Sequence, residues 1–171
     1  KVNKIFGPGN SYVAEAKKYV SNKVAIDLYA GPSEVMVVTN DKENISLASI
    51  DALSQLEHGK DSSAFILSKY KSVLDGIKKE IKSLSKDLSR TNLLDCSKNN
   101  ISLVKCKSDK DIVNMINNCA PEHLVLLDDD FPKYVDSIEN AGSVFCGSKS
   151  PVAFGDYASG TNHVLPTSGW A

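Results

Sequence analysis

The feature that most constrains the fold is a regular alternation between short apolar runs and segments whose apolar residues recur at helical spacing. The β-branched run Val35–Thr39 is typical of a buried strand, and Ile45–Glu57 then shows a broad apolar helical face. Further strands are expected at 24–28, 64–67, 101–105, 123–127 and 143–145, and helices at 10–20, 70–88, 108–118 and 132–140. This order predicts an α/β fold with a mostly parallel sheet.

The composition excludes several function classes. With 171 residues, 42% of them hydrophobic and 24% charged, the chain is long enough for one globular core, or for one domain plus part of another. A net charge of −1 argues against nucleic acid as the main partner, because phosphate binding needs a clustered excess of Lys and Arg. No apolar run approaches the length of a membrane span, so no membrane partner is expected.

The cysteines do not form a recognisable framework. Cys96, Cys106, Cys119 and Cys146 are widely and irregularly spaced, without a C-x-x-C pair. This pattern indicates neither a disulfide scaffold nor a zinc ribbon. Reduced thiols in a cytosol-like, cytoplasmic compartment are the simpler interpretation.

The first of three histidines lies at the predicted end of a helix. Gln55 and His58 are three residues apart, so both lie on one face of the last turn, and Gly59 can end the helix. His58 is a candidate metal ligand. The alternative is a histidine that merely favours the negative end of the helix dipole, since Gln is an uncommon ligand.

The second histidine follows an acidic residue. Glu122 and His123 stand between a helix and a buried strand, where a carboxyl and an imidazole could serve as general acid and base. Neighbours in a strand point to opposite faces, so only a local irregularity would bring both into one cleft. An ordinary turn with a capping acid is the competing interpretation.

The third histidine belongs to the stretch GDYASGTNHVLPT, residues 155–167. Asp156 and His163 suit a cation such as zinc, and Gly155 and Gly160 permit sharp turns or close approach to a ligand. Together with Gln55 and His58 they could form a metal site. The alternative is a loop whose polar side chains bond its own backbone.

Two glycine–proline turns carry weaker signals. Gly7–Asn10 precedes a helix whose first amides could meet a phosphate, but it lacks the G-x-G-x-x-G pattern of dinucleotide sites. The turn before Glu34 exposes Ser33, and no base adjoins Ser33 in sequence to make it a nucleophile.

Taken in order, the motifs resemble those of the histidinol dehydrogenases. The similarity extends over essentially the whole chain, and it is carried by IFGPGN, AIDLYAGPSEV, ALSQLEHGKDS, APEHL, AGSVF and GDYASGTNHVLPT. The resemblance implies an NAD-dependent, zinc-containing enzyme of histidine biosynthesis. Such an enzyme oxidises L-histidinol to L-histidine with two NAD molecules, through a bound aldehyde.

The resemblance also implies a role for particular residues. Gln55, His58 and Asp156 would be zinc ligands close to the substrate, and Glu122 and His123 the acid/base pair. Substrate contacts would come from Ser33, Gln55, His58, His123, Asp156 and His163, and an NAD contact from Asn10.

Finally, the resemblance implies a domain arrangement. Residues 1–32 would be the tail of one Rossmann-like lobe on the NAD side, and 33–171 a second lobe, with an incomplete parallel sheet, that carries the zinc and catalytic residues. The family's fourth zinc ligand, a histidine reached from the partner subunit, lies outside these residues, as does much of the NAD site. We therefore expect an excerpt, inactive alone, of a homodimeric cytoplasmic enzyme.

Two other functions remain open at this point. One is a non-catalytic α/β interaction domain that retains the motifs. The other is a metal-dependent hydrolase with Glu122 as base, which the glycine turns and the motif order do not favour.

Overall fold

Two parallel sheets are present in residues 2–7, 11–27, 33–86 and 98–160, the part of the chain that this computed structural model describes. The smaller sheet pairs β1 (Lys4–Ile5) with β2 (Ala25–Ile26), and α1 (Ser11–Val20) lies between them in the chain. The larger sheet begins at Glu34. The division into lobes at residues 1–32 and 33–171 stays a prediction.

The larger sheet has five strands, all parallel, in the order β5-β4-β3-β6-β7. The strands are β3 (Glu34–Val38), β4 (Ser63–Ser68), β5 (Ile101–Lys105), β6 (His123–Leu126) and β7 (Ser143–Cys146). The expected α/β fold with a parallel sheet is thereby confirmed. The strand order reverses beside β3, since β4 and β5 lie on one side of it and β6 and β7 on the other.

Helices connect the strands and cover both faces of this sheet. They are α2 (Ile45–Leu56), α3 (Lys71–Leu84), α4 (Asp109–Cys119), α5 (Pro132–Val135) and α6 (Val152–Phe154), with short 3₁₀ turns at Lys42–Asn44 and Lys98–Asn100. The start of α4 is fixed by its cap, because the Ser108 hydroxyl accepts the N–H of Asp111 at 3.2 Å.

The core divides according to the pleat of the strands. Val35 and Val37 pack with α2 and α3 on one face, whereas Met36 and Val38 pack with α4 and α5 on the other. All four side chains are at most 1% exposed. A strand buried on both faces must be apolar at every position, and this explains the continuous β-branched run in the sequence.

The helix expected at 132–140 is shorter than its sequence pattern suggests. It ends at Val135, and the chain continues in turns whose Ser137 and Ile138 amides bond three residues back. The Asn117 side chain on α4 accepts the N–H of Glu139 at 2.9 Å and so offers the backbone a partner outside a helix. The Asn117 side chain thus stabilises the turns that follow the helix.

Other boundaries shift less. The strand expected at 24–28 covers only Ala25–Ile26 in the described residues, and the helix expected at 70–88 ends at Leu84. The first part of the GDYASG stretch is not a loop but one π-helical turn, Gly155–Ser159, which ends where Gly160 takes a φ of 69°. A φ of this sign suits glycine because glycine lacks a Cβ.

A buried ion pair organises the segment around the small sheet. The Lys17 ammonium lies 2.7 Å from the Asp27 carboxylate and also donates to the carbonyl of Gly7. The other oxygen of Asp27 accepts the N–H of Gly7 at 2.7 Å. Gly7 is therefore bonded by both partners of the pair.

The carboxyl end of the sheet holds a second polar cluster. The Asp128 carboxylate accepts the Thr39 hydroxyl and the Asn40 N–H, each at 2.6 Å, and the Asn44 amide at 3.2 Å. Thr39 follows β3 and Asp128 follows β6, so the cluster ties these strands where the strand order reverses. Both residues are buried, with at most 9% exposure.

The described residues contain neither a candidate membrane span nor a disulfide-bonded cysteine. Within them, no helix is long and apolar enough to cross a membrane. The three cysteines that they include, Cys106, Cys119 and Cys146, are free thiols.

Candidate active site

Three segments that carry candidate residues lie at the amino edge of the five-stranded sheet. Val35 pairs with His123 across β3 and β6, so Ser33, Glu34 and Glu122 lie immediately at the starts of these strands. The C-terminal end of α2 returns to the same edge, because the chain enters β4 at Ser63, opposite Glu34. This topology brings motifs that are far apart in sequence to one edge.

Glu122 is a buried carboxyl with 4% exposure. Its Oε2 accepts the main-chain N–H of Glu34 at 3.1 Å. Burial raises the pKa of Glu122 to about 7; the hydrogen bond from Glu34 opposes the rise, and the negative charge of Glu34 adds to it. A carboxyl with this pKa can both accept and donate a proton near neutral pH.

His123 is also buried, with 6% exposure, and its ring orientation is set by the main chain. Its Nδ1 lies 3.1 Å from the carbonyl oxygen of Glu34 and 3.7 Å from Oε2 of Glu122. A carbonyl oxygen can only accept, so Nδ1 carries the proton in this contact. In the neutral ring the lone pair is then on Nε2, which is the nitrogen available to act as a base.

The pair converges because the chain turns sharply before β6. Ala120, the residue that ends α4, has a φ of 42°, the one non-glycine residue with positive φ in the described part of the chain. Glu122 then precedes the strand while His123 begins it. Both side chains reach the main chain of Glu34, so the local irregularity required by the sequence pattern is present.

Gln55 lies in the last turn of α2 and is only 4% exposed. Within the described residues its side-chain amide makes no hydrogen bond, although a buried amide normally has one. His58 follows the helix in an exposed turn, where its N–H donates to the carbonyl of Gln55 at 3.2 Å. Their shared turn agrees with the predicted helix end.

The remaining candidates are described incompletely. Ser33 is half-buried at the start of β3, and its carbonyl accepts the N–H of Ser63 at 3.1 Å. Asp156 lies in the π-helical turn, with only its backbone described. Asn10 and His163 lie outside the described residues.

Sequence reasoning missed the part played by Glu34. Its N–H and C=O bond both members of the pair, and main-chain contacts leave no residue-type signature. On α2, one turn before Gln55, burial also raises the pKa of Asp51 to about 6. The i, i+4 spacing within the helix would have placed it on the face of Gln55.

A complete metal site is not assembled by the described side chains. Among them, no group of three or more His, Cys, Asp or Glu residues could hold a metal ion. Gln55 is not one of these four residue types, and the Asp156 side chain is not among those described, so neither counts toward such a group. The described part of the candidate site therefore includes a buried carboxyl, Glu122, a buried imidazole, His123, and the buried amide of Gln55.

Comparisons with known proteins agree on one family. The family model for histidinol dehydrogenase matches residues 1–171. A histidinol dehydrogenase of Colwellia psychrerythraea is 43% identical over 99% of this chain, and one of Schizosaccharomyces pombe is 45% identical over all of it. The chain spans about 40% of the length of each of these relatives.

Solved structures extend the likeness. A crystal structure of histidinol dehydrogenase from Elizabethkingia anophelis has a TM-score of 0.91 at 40% identity, covering 99% of this chain and 40% of that one. A gamma-glutamyl phosphate reductase from Thermotoga maritima has a TM-score of 0.58 at 12% identity, over 97% of this chain and 46% of that one, and shares the fold alone. On the family model, the relatives and the close structural match together, this chain belongs to the histidinol dehydrogenase family.

Proposed function

We propose that the chain carries part of the active centre of a histidinol dehydrogenase, which oxidises L-histidinol to L-histidine through the aldehyde in histidine biosynthesis. The observation that carries this proposal is the buried pair Glu122 and His123, held on the main chain of one residue, Glu34. Family membership supplies the substrate class, and the pair supplies the proton chemistry that two successive oxidations need.

In the first oxidation, His123 would act as the base. An alcohol that loses a hydride from its carbon must also lose the hydroxyl proton, and Nε2 of His123 carries the lone pair that can take it. NAD, when bound, accepts the hydride. The products of this step are the aldehyde, reduced NAD and one proton, which resides on His123 until it is released.

In the second oxidation, Glu122 would activate water. Its carboxylate removes a proton as the water oxygen bonds to the aldehyde carbon, and the resulting hydrate loses a hydride to a second NAD. The pKa of about 7 makes Glu122 a far better base than an exposed glutamate while a large fraction remains ionised at neutral pH. On loss of the hydride the hydrate anion becomes a carboxylic acid, which releases the second proton as it ionises, and the water oxygen becomes the second carboxylate oxygen of histidine.

Zinc fits the residues that the family resemblance assigns to it. Gln55, His58 and Asp156 would be ligands, and the buried amide of Gln55, which makes no hydrogen bond within the described residues, is the kind of group that a ligand would satisfy. When bound, zinc would supply a Lewis acid that helps to hold the substrate in place. The protein side chains then carry out the proton transfers.

The other assignments complete the proposal. Ser33, Gln55, His58, His123, Asp156 and His163 would contact the substrate, and Asn10 would contact NAD. We also propose that the enzyme is a cytoplasmic homodimer, in which a partner subunit supplies a further ligand, and that it has no nucleic-acid or membrane partner. The net charge of −1 supports a small-molecule substrate over nucleic acid.

The test uses protein expressed from the complete reading frame and loaded with zinc. Two molecules of reduced NAD should appear for each histidinol converted to histidine, and H123A should lower turnover by about 100-fold or more, the usual contribution of a general base. Y70F, at an exposed position beyond the carboxyl end of β4, is the matched control and should turn over like the wild type. Full turnover by H123A would contradict the proposed base, and a wild type that never oxidises histidinol would favour a non-catalytic domain.

A further inference from the structure

We propose that Glu34 is a positioning residue for the acid/base pair: its main chain holds the side chains of Glu122 and His123, and its carboxylate adds a negative charge that acts on Glu122. This inference rests on the proposed function, because that function gives Glu122 and His123 their roles. It goes further by assigning a task to a residue that touches neither substrate nor cofactor in that scheme.

The first support is the use of both main-chain groups of Glu34. The N–H donates to Oε2 of Glu122 at 3.1 Å, and the carbonyl oxygen lies 3.1 Å from Nδ1 of His123. These two contacts fix the separation between Oε2 and Nδ1 at 3.7 Å. One residue therefore determines the geometry of both members.

The second support is that this stretch of main chain is itself held. Glu34 pairs with Ser63 of β4, and the carbonyl of Ser33 accepts the N–H of Ser63 at 3.1 Å. The peptide group between Ser33 and Glu34 thus bonds β4 through its oxygen and Glu122 through its nitrogen. A peptide fixed from both sides is a rigid support for a side chain.

The third support is electrostatic. The charge of Glu34 contributes to the raised pKa of Glu122, after burial, and it also contributes to the raised pKa of Cys119 at the end of α4. Among the described residues, Glu34 on β3 acts on Glu122 through its charge, and His123 on β6 has its Nδ1 3.7 Å from Oε2 of Glu122. Cys119, at the end of α4, is affected by the same charge of Glu34. Among these groups Glu34 adds a like charge, and a like charge disfavours ionisation of a carboxyl.

Glu34 therefore acts in two ways, one through its main chain and one through its side chain. The main chain positions the pair whatever side chain is present at position 34, whereas the carboxylate adjusts how readily Glu122 gives up its proton. Removing the charge should therefore change the titration of Glu122 without changing the ring orientation of His123.

The experiment follows both effects by NMR in zinc-loaded protein from the complete reading frame. Carboxyl ¹³C labelling of Glu, with the Glu122 signal assigned by its loss in E122Q, reports the titration midpoint, and imidazole ¹⁵N labelling reports the tautomer of His123. In E34Q the Glu122 midpoint should fall by about half a pH unit, as expected when a like charge is removed. The His123 signals should keep the Nδ1–H pattern.

Three further variants sharpen the result. E34A removes the same charge and replaces E34Q if that variant folds poorly. E34D keeps the charge and should have a Glu122 midpoint close to that of the wild type. E43Q removes an exposed glutamate at the opposite edge of the sheet and should leave the Glu122 midpoint unchanged. The proposal is overturned if the midpoint in E34Q and E34A equals that of the wild type, or if E43Q lowers it equally. Wild-type turnover by E122Q would instead overturn the proposed function, and it does so whatever the midpoint in E34Q.

Discussion

Nδ1 of His123 lies 3.1 Å from the main-chain oxygen of Glu34, a contact between residues 89 positions apart in the chain. Because the oxygen belongs to the backbone, this restraint on the imidazole persists through any substitution at position 34 other than one that breaks β3. The ring also lies beside Phe145 on β7, with 6.1 Å between the ring centroids. Two neighbouring strands therefore fix the orientation of the proposed base.

Substitution of Glu122 by Gln should change how stability depends on pH. Since the folded pKa of Glu122 is about 7 and its ordinary value is 4.5, the folded protein holds this proton more tightly than the unfolded chain. The stabilising contribution is fully present below pH 4.5 and is lost as the pH rises to 7. E122Q should therefore gain stability relative to the wild type across this window, as measured by urea unfolding in EDTA at several pH values. A constant difference between the two proteins from pH 4.5 to 8 would contradict the raised pKa.

Replacement of Gln55 by Ala should weaken metal retention. The substitution removes a buried amide that makes no hydrogen bond within the described residues, so a loss of metal would identify the amide as a ligand. Zinc content after dialysis, measured by inductively coupled plasma mass spectrometry, should fall at least tenfold. S54A changes the exposed neighbour on the same helix and is the matched control. Equal zinc content in Q55A and S54A would refute the assignment.

Ala120 should tolerate glycine but not valine. Its φ of 42° lies in the left-handed region, which costs a residue with a Cβ about 1 kcal/mol and a β-branched residue more. A120V should lose about 2 kcal/mol of unfolding free energy, whereas A120G should remain within about 1 kcal/mol of the wild type, because relief of strain offsets the added chain entropy. Urea denaturation measures both, and equal losses would argue against the left-handed backbone.

Replacement of Lys17 by Ala should destabilise the segment around the small sheet. Lys17 is 4% exposed and pairs with Asp27 at 2.7 Å, and removal of one partner leaves a partly buried charge. The expected loss is about 3 kcal/mol for a buried pair. K18A removes an exposed lysine on the same helix and should cost less than about 0.5 kcal/mol. Thermal unfolding followed by circular dichroism separates the two variants, and similar melting temperatures would contradict the role of the pair.

The sequence predicts the fold well because the sheet is parallel and buried on both faces. Val35–Val38 must be apolar at each position, and a run of this kind is visible without any structure. The end of α5 could not be predicted, because the turns that follow it are held by Asn117, which is 22 residues from its partner Glu139. Long-range side-chain contacts of this type leave no local pattern.

The candidate site was predictable only in part. Gln55, His58, Glu122 and His123 draw attention through their residue types, and the topology brings their segments to one edge. The hydrogen bonds from Glu34 to Glu122 and His123 could not be predicted, because Glu34 makes them with main-chain atoms that every non-proline residue possesses. Helical periodicity likewise gives no sign that Ala120 adopts a left-handed backbone before the pair.

The Asp128 cluster lies at the carboxyl edge of the sheet, opposite the candidate site. In open parallel sheets, ligands commonly bind beyond the carboxyl ends of the strands, where the strand order reverses. Here the Asp128 carboxylate at this edge already accepts hydrogen bonds from Thr39, Asn40 and Asn44, so a ligand that bound Asp128 would have to compete with these donors. The cluster therefore joins β3 to β6 through contacts that do not involve Glu122 or His123, and substitutions at the amino edge leave these contacts in place.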